Sequence, residues 1–221
     1  MGKNPTAAYT APFLVYIAFL AVQKWLPFSI PVVHAIRFVV VLAVIWVASR
    51  RYLSLRPSYP LASIGIGIAV FLIWVGPDYL FGYRHFWLFE NAITGTASSG
   101  FPESLRHDRF FILVRILTTA ALVPVLEELF WRGWLMRWLI NNQEFLKVPL
   151  GTFQPLSFWL VAVLFASEHG SYWEVGLAAG IIYNWWILHT KNLADCILAH
   201  AVTNGILALY VLEAGQWQYW L

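Results

Sequence analysis

Long apolar runs, separated by short polar or proline-containing segments, recur along the whole chain. A membrane-crossing helix needs about 20 apolar residues, because the hydrocarbon core of a bilayer is ~30 Å thick. The runs predict helices near residues 10–26, 32–48, 60–75, 110–140, 155–170, 173–189 and 193–213. The run at 110–140 is longer than one span requires, and Pro124 within it predicts a kink or a division into two pieces. We therefore expect an all-α polytopic membrane protein, a bundle of seven to eight transmembrane helices.

The composition supports a membrane protein. Of the 221 residues, 60% are hydrophobic and only 11% are charged, whereas an ordinary soluble domain has about 25% charged residues. Such a chain cannot cover a water-facing surface, which argues against a soluble enzyme, a disordered chain and a nucleic-acid-binding protein. The single cysteine, Cys196, argues against a disulfide scaffold. We interpret residues 1–221 as one integral membrane domain in contact with the lipid bilayer.

The distribution of basic residues predicts an orientation. Lys and Arg concentrate in the cytoplasmic loops of membrane proteins, and the loop with Arg50, Arg51 and Arg56 is the most basic short loop of this chain. This loop and the N-terminus are therefore expected in the cytoplasm. The 76–108 connection then lies on the opposite side, although its own arginines weaken the assignment. Within this connection, the aromatic-rich stretch 79–90 suits the membrane interface.

Three groups of polar residues lie where the pattern predicts membrane helices. An ionisable side chain inside a membrane costs roughly 2.5–3.5 kcal/mol on insertion scales, so such residues are functional candidates by default. The three groups are Glu127 and Glu128 with Arg132, Glu168 with His169, and His200 with Asn204.

Helix geometry predicts different roles for the two adjacent glutamates. Glu128 and Arg132 are four residues apart, with the acid on the N-terminal side, which is the favoured order for an ion pair. Glu127 is rotated by about 100° from Glu128 and can point elsewhere. A carboxylate in a low-dielectric site holds a proton more readily than in water, which suits Glu127 to act as a general base. The alternative is that all three residues form one structural network.

The histidines extend this pattern. His200 and Asn204 are four residues apart, so both project from one face of a helix. An imidazole and an amide together can donate two hydrogen bonds to a developing oxyanion. His169 belongs to another helix and could hold a water against Glu127, while its neighbour Glu168 either tunes the site or marks a helix end near water. Packing alone is the alternative for each histidine, but together the groups predict an acid–base hydrolytic site.

The three motifs E-E-x-x-x-R, F-x-x-x-H and H-x-x-x-N, in this order on successive membrane helices, resemble the CPBP family of intramembrane proteases. This family includes the type II CAAX prenyl endopeptidases and bacteriocin-processing relatives. The resemblance covers roughly residues 110–213, the expected catalytic core, and no motif position is missing. The motif residues are Glu127, Glu128, Arg132, Phe165, His169, His200 and Asn204.

The resemblance implies an intramembrane endopeptidase that works through glutamate without an obligatory metal or cofactor. It implies that Glu127 and His169 activate the water that attacks the scissile carbonyl. His200 and Asn204 are then expected to stabilise the oxyanion. Glu128 and Arg132 are expected to support the site.

The length and the tryptophan-rich composition also resemble a bacterial subgroup of this family that is associated with exosortase sorting systems. That resemblance implies a multi-pass protein of the bacterial inner membrane and a protein or peptide substrate from such a system. Prenylated substrates are not expected, because bacteria generally lack the prenylated Cys-a-a-X proteins that give the family its name.

Two other functions fit the same residues. A metal-dependent hydrolase would use Glu127, His169 and His200 as three ligands, and zinc suits such nitrogen and oxygen donors. The sequence contains no H-E-x-x-H motif, however, and Arg132 disfavours a nearby cation. A non-proteolytic scaffold or transporter would use the buried charges structurally. A Glu127→Gln variant distinguishes this second alternative from a protease, because only a protease loses a cleavage activity.

Overall fold

All seven apolar runs form helices in the computed structural model, which describes residues 4–97 and 102–220. These described residues contain no β-strand. Residues 98–101 of the 76–108 connection and both ends of the predicted 1–221 domain lie outside the described residues. The helices are α1 Pro5–Trp25, α2 Ile30–Ser49, α3 Pro60–Phe81, α4 Arg109–Trp138, α5 Pro155–Ser167, α6 Trp173–Thr190 and α7 Leu193–Ala214.

Five of these helices are long and apolar enough to cross a membrane: α1, α2, α3, α4 and α7. The sequence predicted seven to eight spans, and the two remaining predicted segments are α5 and α6. Helix α5 has 13 residues, which makes it about 20 Å long at 1.5 Å per residue, shorter than the ~30 Å hydrocarbon core. The predicted fold class is confirmed: the chain is a polytopic, all-helical membrane protein.

Helix α4 is one uninterrupted helical run of 30 residues, so of the two predicted effects of Pro124, a kink or a division, the division does not occur. Two π-helical segments, Thr118–Leu122 and Leu129–Leu135, flank a short α-helical stretch, Val123–Glu128, with Pro124 at its second position. The wider π-helical hydrogen-bonding pattern before the proline accommodates its missing N–H, and the helix therefore continues. Both glutamates of the E-E motif lie between the two π segments, which occur frequently at functional sites.

Helix α4 packs against α1, α2 and α7, whereas α3 lies along α7 and α5 lies along α6. Small residues allow these close approaches. A Cβ atom added at Gly67 of α3 would overlap the carbonyl oxygen of Ala199 on α7. The buried carboxylate of Asp195 fixes the ends of the same two helices, because it accepts hydrogen bonds from the backbone N–H groups of Ser58 and Tyr59 at 3.0 and 2.8 Å.

Candidate active site

The four side chains predicted as catalytic line one cavity of about 330 Å³. Helix α4 supplies Glu127, helix α7 supplies His200 and Asn204, and the turn between α5 and α6 supplies His169. These four residues are far apart in sequence and line the same cavity. Their catalytic roles remain predictions.

The carboxylate of Glu127 faces this cavity. Its side chain is 13% exposed, and its Oε2 atom lies 3.9 Å from Nε2 of His200. Oε2 is buried and has no hydrogen-bond partner among the described residues. A buried acceptor without a partner is costly and uncommon in native structures. Glu127 therefore keeps an acceptor oxygen for a group that enters the cavity.

Glu128 does not line the cavity and joins a buried network through Oε1, while its Oε2 atom, like that of Glu127, has no hydrogen-bond partner among the described residues. Its Oε1 atom lies 3.0 Å from Nη1 of Arg132, and both side chains are fully buried. The remaining guanidinium nitrogens donate to α6: Nε to Oδ1 of Asn184 at 2.9 Å, and Nη2 to the carbonyl oxygen of Gly180 at 3.3 Å. The guanidinium carbon lies 4.5 Å from the ring centre of Phe165. The four-residue spacing thus forms the ion pair that helix geometry predicts.

His200 joins the two glutamates. Its Nδ1 atom lies 3.0 Å from Oε1 of Glu128, and because an ionised carboxylate only accepts hydrogen bonds, Nδ1 carries the hydrogen. Nε2 is therefore the nitrogen that faces Glu127. The imidazole stacks on the ring of Tyr183 at 5.1 Å, and the Tyr183 hydroxyl donates to Oγ1 of Thr203 at 2.8 Å. Two contacts thus fix the orientation of the imidazole.

His169 follows the last turn of α5, and its ring orientation is also fixed. Its Nδ1 atom lies 2.7 Å from the carbonyl oxygen of Phe165, which only accepts, so the neutral ring keeps a lone pair on Nε2. The ring contacts Trp74 at 5.3 Å and Phe165 at 4.8 Å between ring centres. A Cβ atom at Gly176 would lie 3.0 Å from Nδ1, so the glycine makes room for the imidazole.

The amide of Asn204 is held by α4. Its Nδ2 atom donates a hydrogen bond of 2.9 Å to the carbonyl oxygen of Thr119, within the first π-helical segment. An amide nitrogen carries two hydrogens, and this bond uses one of them. The second is available to an acceptor in the cavity, which Asn204 also lines.

Sequence reasoning missed two residues that contact the predicted catalytic histidines. Tyr183 and Trp74 contact the two histidines, but no spacing rule distinguishes them from other aromatic residues of the chain. Asn184 did carry a signal, since a polar residue inside an apolar helix indicates an interhelical hydrogen bond. Glu168 lines the cavity and accepts a 3.0 Å hydrogen bond from the indole of Trp131.

The alternative ligand set of Glu127, His169 and His200 lines the cavity but is not arranged as a metal site. Within residues 4–97 and 102–220, no three His, Cys, Asp or Glu side chains are grouped to hold a metal ion. The described side chains instead offer one carboxylate, two imidazole nitrogens and an amide donor around one cavity.

Comparison with known proteins supports the resemblance that the motifs indicate. Residues 109–206 match the family model of the type II CAAX prenyl endopeptidases, Rce1-like. No curated protein and no solved structure was found to match the chain. The matched stretch contains every motif residue and every predicted catalytic residue. Over residues 109–206, the chain is therefore similar to the type II CAAX prenyl endopeptidases, in agreement with the resemblance to the CPBP family.

Proposed function

We propose that this protein is an intramembrane endopeptidase in which Glu127 and His169 activate a water molecule for attack on a peptide bond near the membrane–water boundary. One observation carries the proposal. The carboxylate of Glu127 lines the cavity and has no Lys or Arg partner among the described residues, whereas the adjacent Glu128 does not line the cavity and is paired with Arg132. A carboxylate placed in this way accepts a proton rather than holding a structural cation.

The reaction follows from these positions. Water lies between the Glu127 carboxylate and Nε2 of His169, and its oxygen attacks the scissile carbonyl carbon while one proton moves to Glu127. The electron pair of the C=O double bond moves to oxygen, giving a tetrahedral oxyanion. This oxyanion accepts hydrogen bonds from Asn204 and from Nε2–H of His200. The C–N bond then breaks, and the departing amine takes the proton from Glu127.

The role of His200 requires a protonated imidazole. Because Nδ1 donates to Glu128, Nε2 can donate only when both ring nitrogens carry hydrogen. The carboxylate of Glu128 lies on the other side of the ring, and its negative charge stabilises such an imidazolium. Glu128 thus supports the oxyanion site through His200 as well as pairing with Arg132.

The finer assignments are also part of the proposal. We place the protein in the bacterial inner membrane, with a peptide substrate that belongs to an exosortase sorting system. The support is the composition with 13 tryptophans, which resembles that subgroup.

Comparative proteomics of membrane and exported proteins tests the proposal. Cells that produce the wild-type protein are compared with cells that produce Glu127→Gln, which keeps the shape of the side chain and removes its charge. The control is Glu144→Gln, an exposed residue paired with Lys147 outside the cavity. We expect new peptide termini with the wild type and the control but not with Glu127→Gln. The same termini with all three proteins would overturn the proposal.

Metal independence has its own test. The purified protein cleaves a substrate identified in this way at the same rate before and after treatment with a strong chelator, because the proposed water activation uses side chains alone. A loss of cleavage that added zinc restores would instead support the metal-dependent alternative with Glu127, His169 and His200.

A further inference from the structure

An exposed apolar surface begins in the last turn of α3 and continues into the following connection. We call it the aromatic ridge. Its most exposed side chains are Ile93 at 96%, Tyr79 at 79% and Phe81 at 76% exposure. The complete ridge comprises Tyr79, Leu80, Phe81, Phe86, Trp87, Leu88 and Ile93. Because all of these residues lie within the short stretch 79–93, they form a local cluster rather than scattered surface residues.

The opposite side of the same connection is polar and fixed to the turn between α5 and α6. Arg84 is 2% exposed, and its Nη1 atom lies 2.7 Å from Oε1 of Glu174. Nη1 also donates to the carbonyl oxygen of Ser171 at 3.1 Å, and the guanidinium lies 4.2 Å from the ring centre of Tyr172. The ridge is therefore the outer face of an ordered segment.

This segment also packs against residues that line the cavity. Gly170 and Tyr172 line the cavity next to His169. The carbonyl oxygen of Thr94 lies 3.5 Å from the position of a Cβ atom at Gly170, and Arg84 lies against Tyr172. The ridge thus lies on the outer side of the wall that holds the catalytic turn.

The length of α3 indicates how deep the ridge lies. Helix α3 has 22 residues and is therefore about 33 Å long, close to the ~30 Å thickness of the hydrocarbon core. Its last turn, where the ridge begins, then lies at one boundary of that core. Backbone polar groups near this boundary need partners, and Arg84 provides one for Ser171.

From these contacts we propose that the aromatic ridge is embedded in the headgroup–acyl boundary of the bilayer, so that lipid is its partner. Trp and Tyr are enriched at this boundary. The ridge also continues from the lipid-facing surface of α3, on which Leu72 is 58% exposed. A segment immersed in the membrane surface therefore packs on the outer side of Gly170 and Tyr172, which line the cavity. This placement depends on the fold and the membrane, and it holds whatever the catalytic roles of the cavity residues are.

Site-directed spin labelling tests this proposal in vesicles of phosphatidylcholine and phosphatidylglycerol. Cys196 is fully buried, so the unsubstituted protein measures background labelling. Trp87→Cys and Ile93→Cys place a nitroxide on the ridge, Leu72→Cys is the lipid reference and Glu144→Cys is the water reference. Collisions of each label with oxygen and with a water-soluble nickel chelate are measured, and size-exclusion chromatography verifies that each variant folds.

We expect the two ridge labels to collide with oxygen as the Leu72→Cys label does and to be shielded from nickel at least several-fold relative to Glu144→Cys. Nickel accessibility equal to that of Glu144→Cys would overturn the proposal, because the ridge would then face water. Shielding from both reagents would also overturn it, because a second protein chain rather than lipid would cover the ridge.

Discussion

Two neighbouring faces of α4 carry the same residue type in opposite environments. On one face, Glu128 is fully buried, and its Oε1 atom is within 3.0 Å of both Arg132 and His200. On the other face, Glu127 borders a cavity of about 330 Å³, which Glu128 does not line. The Oε2 atom of each glutamate is buried without a hydrogen-bond partner among the described residues, so the pairing of Oε1 and the cavity distinguish the two positions.

We call the face of α4 with Glu128 the closed face and the face with Glu127 the open face. Contacts of the closed face also position the open face. Arg132 connects α4 to α6 through Asn184 and Gly180, and Glu128 connects α4 to α7 through His200. A buried ion pair adds little net stability, but the removal of one partner leaves an uncompensated charge. Substitutions on the closed face should therefore affect folding, and substitutions on the open face should affect cleavage.

The largest effect on stability is expected for Glu128→Gln. This change leaves Arg132 as an unpaired buried charge, and we expect a loss of about 3–5 kcal/mol in the free energy of unfolding. Denaturant unfolding in detergent measures it. The exposed Glu144→Gln control should remain within about 0.5 kcal/mol of the wild type. A Glu128→Gln protein as stable as this control would remove the distinction between the two faces.

Asn204→Ala is expected to act mainly on cleavage. Loss of one donor to an oxyanion typically lowers the rate about 10²–10³-fold, whereas loss of the hydrogen bond to Thr119 costs only about 1 kcal/mol of stability. The measurement is the single-turnover rate on a substrate found by proteomics, together with denaturant unfolding. A rate close to that of the wild type would exclude Asn204 from the oxyanion site.

Gly176→Ala tests whether the position of His169 matters for cleavage. The added Cβ atom would lie 3.0 Å from Nδ1 of His169, so the ring must move. Because small misplacements of a catalytic group are costly, we expect cleavage to slow by about 10²-fold. The matched control is Gly76→Ala, which adds the same methyl group to α3 in open space. Equal cleavage rates for these two variants would contradict a role for His169.

The smallest effect is expected for Tyr183→Phe. The ring that stacks on His200 remains, and only the hydroxyl that donates to Thr203 is lost. We expect a loss of about 1 kcal/mol in the free energy of unfolding and a change of a few-fold in the cleavage rate. A collapse of cleavage as severe as that of Asn204→Ala would show that the hydroxyl takes part in the reaction.

Much of the fold could be predicted from the sequence, because membrane helices are recognisable as long apolar runs. The four-residue spacing of Glu128 and Arg132 also predicts their ion pair, because this contact lies within a single helix. The continuity of α4 through Pro124 could not be predicted in this way. The π-helical segment before the proline accommodates it, and the position of such a segment depends on packing against neighbouring helices.

The candidate site was predictable as a set of residues but not as an arrangement. The three motifs indicate that Glu127, His169 and His200 belong together, whereas the nitrogen that each histidine presents depends on which oxygen lies beside its ring. The contact of Asn204 with Thr119 likewise depends on how α4 and α7 cross. Such contacts between helices have no signature in the spacing of residues along the chain.

The most direct measurement compares the purified Glu127→Gln protein with the wild type in cleavage rate and in thermal unfolding. Because Glu127 is assigned as the general base on the open face, we predict a cleavage rate lowered by about 10²–10⁴-fold and an unchanged unfolding transition. Cleavage at the wild-type rate by a folded Glu127→Gln protein would contradict the central claim that this carboxylate activates the water.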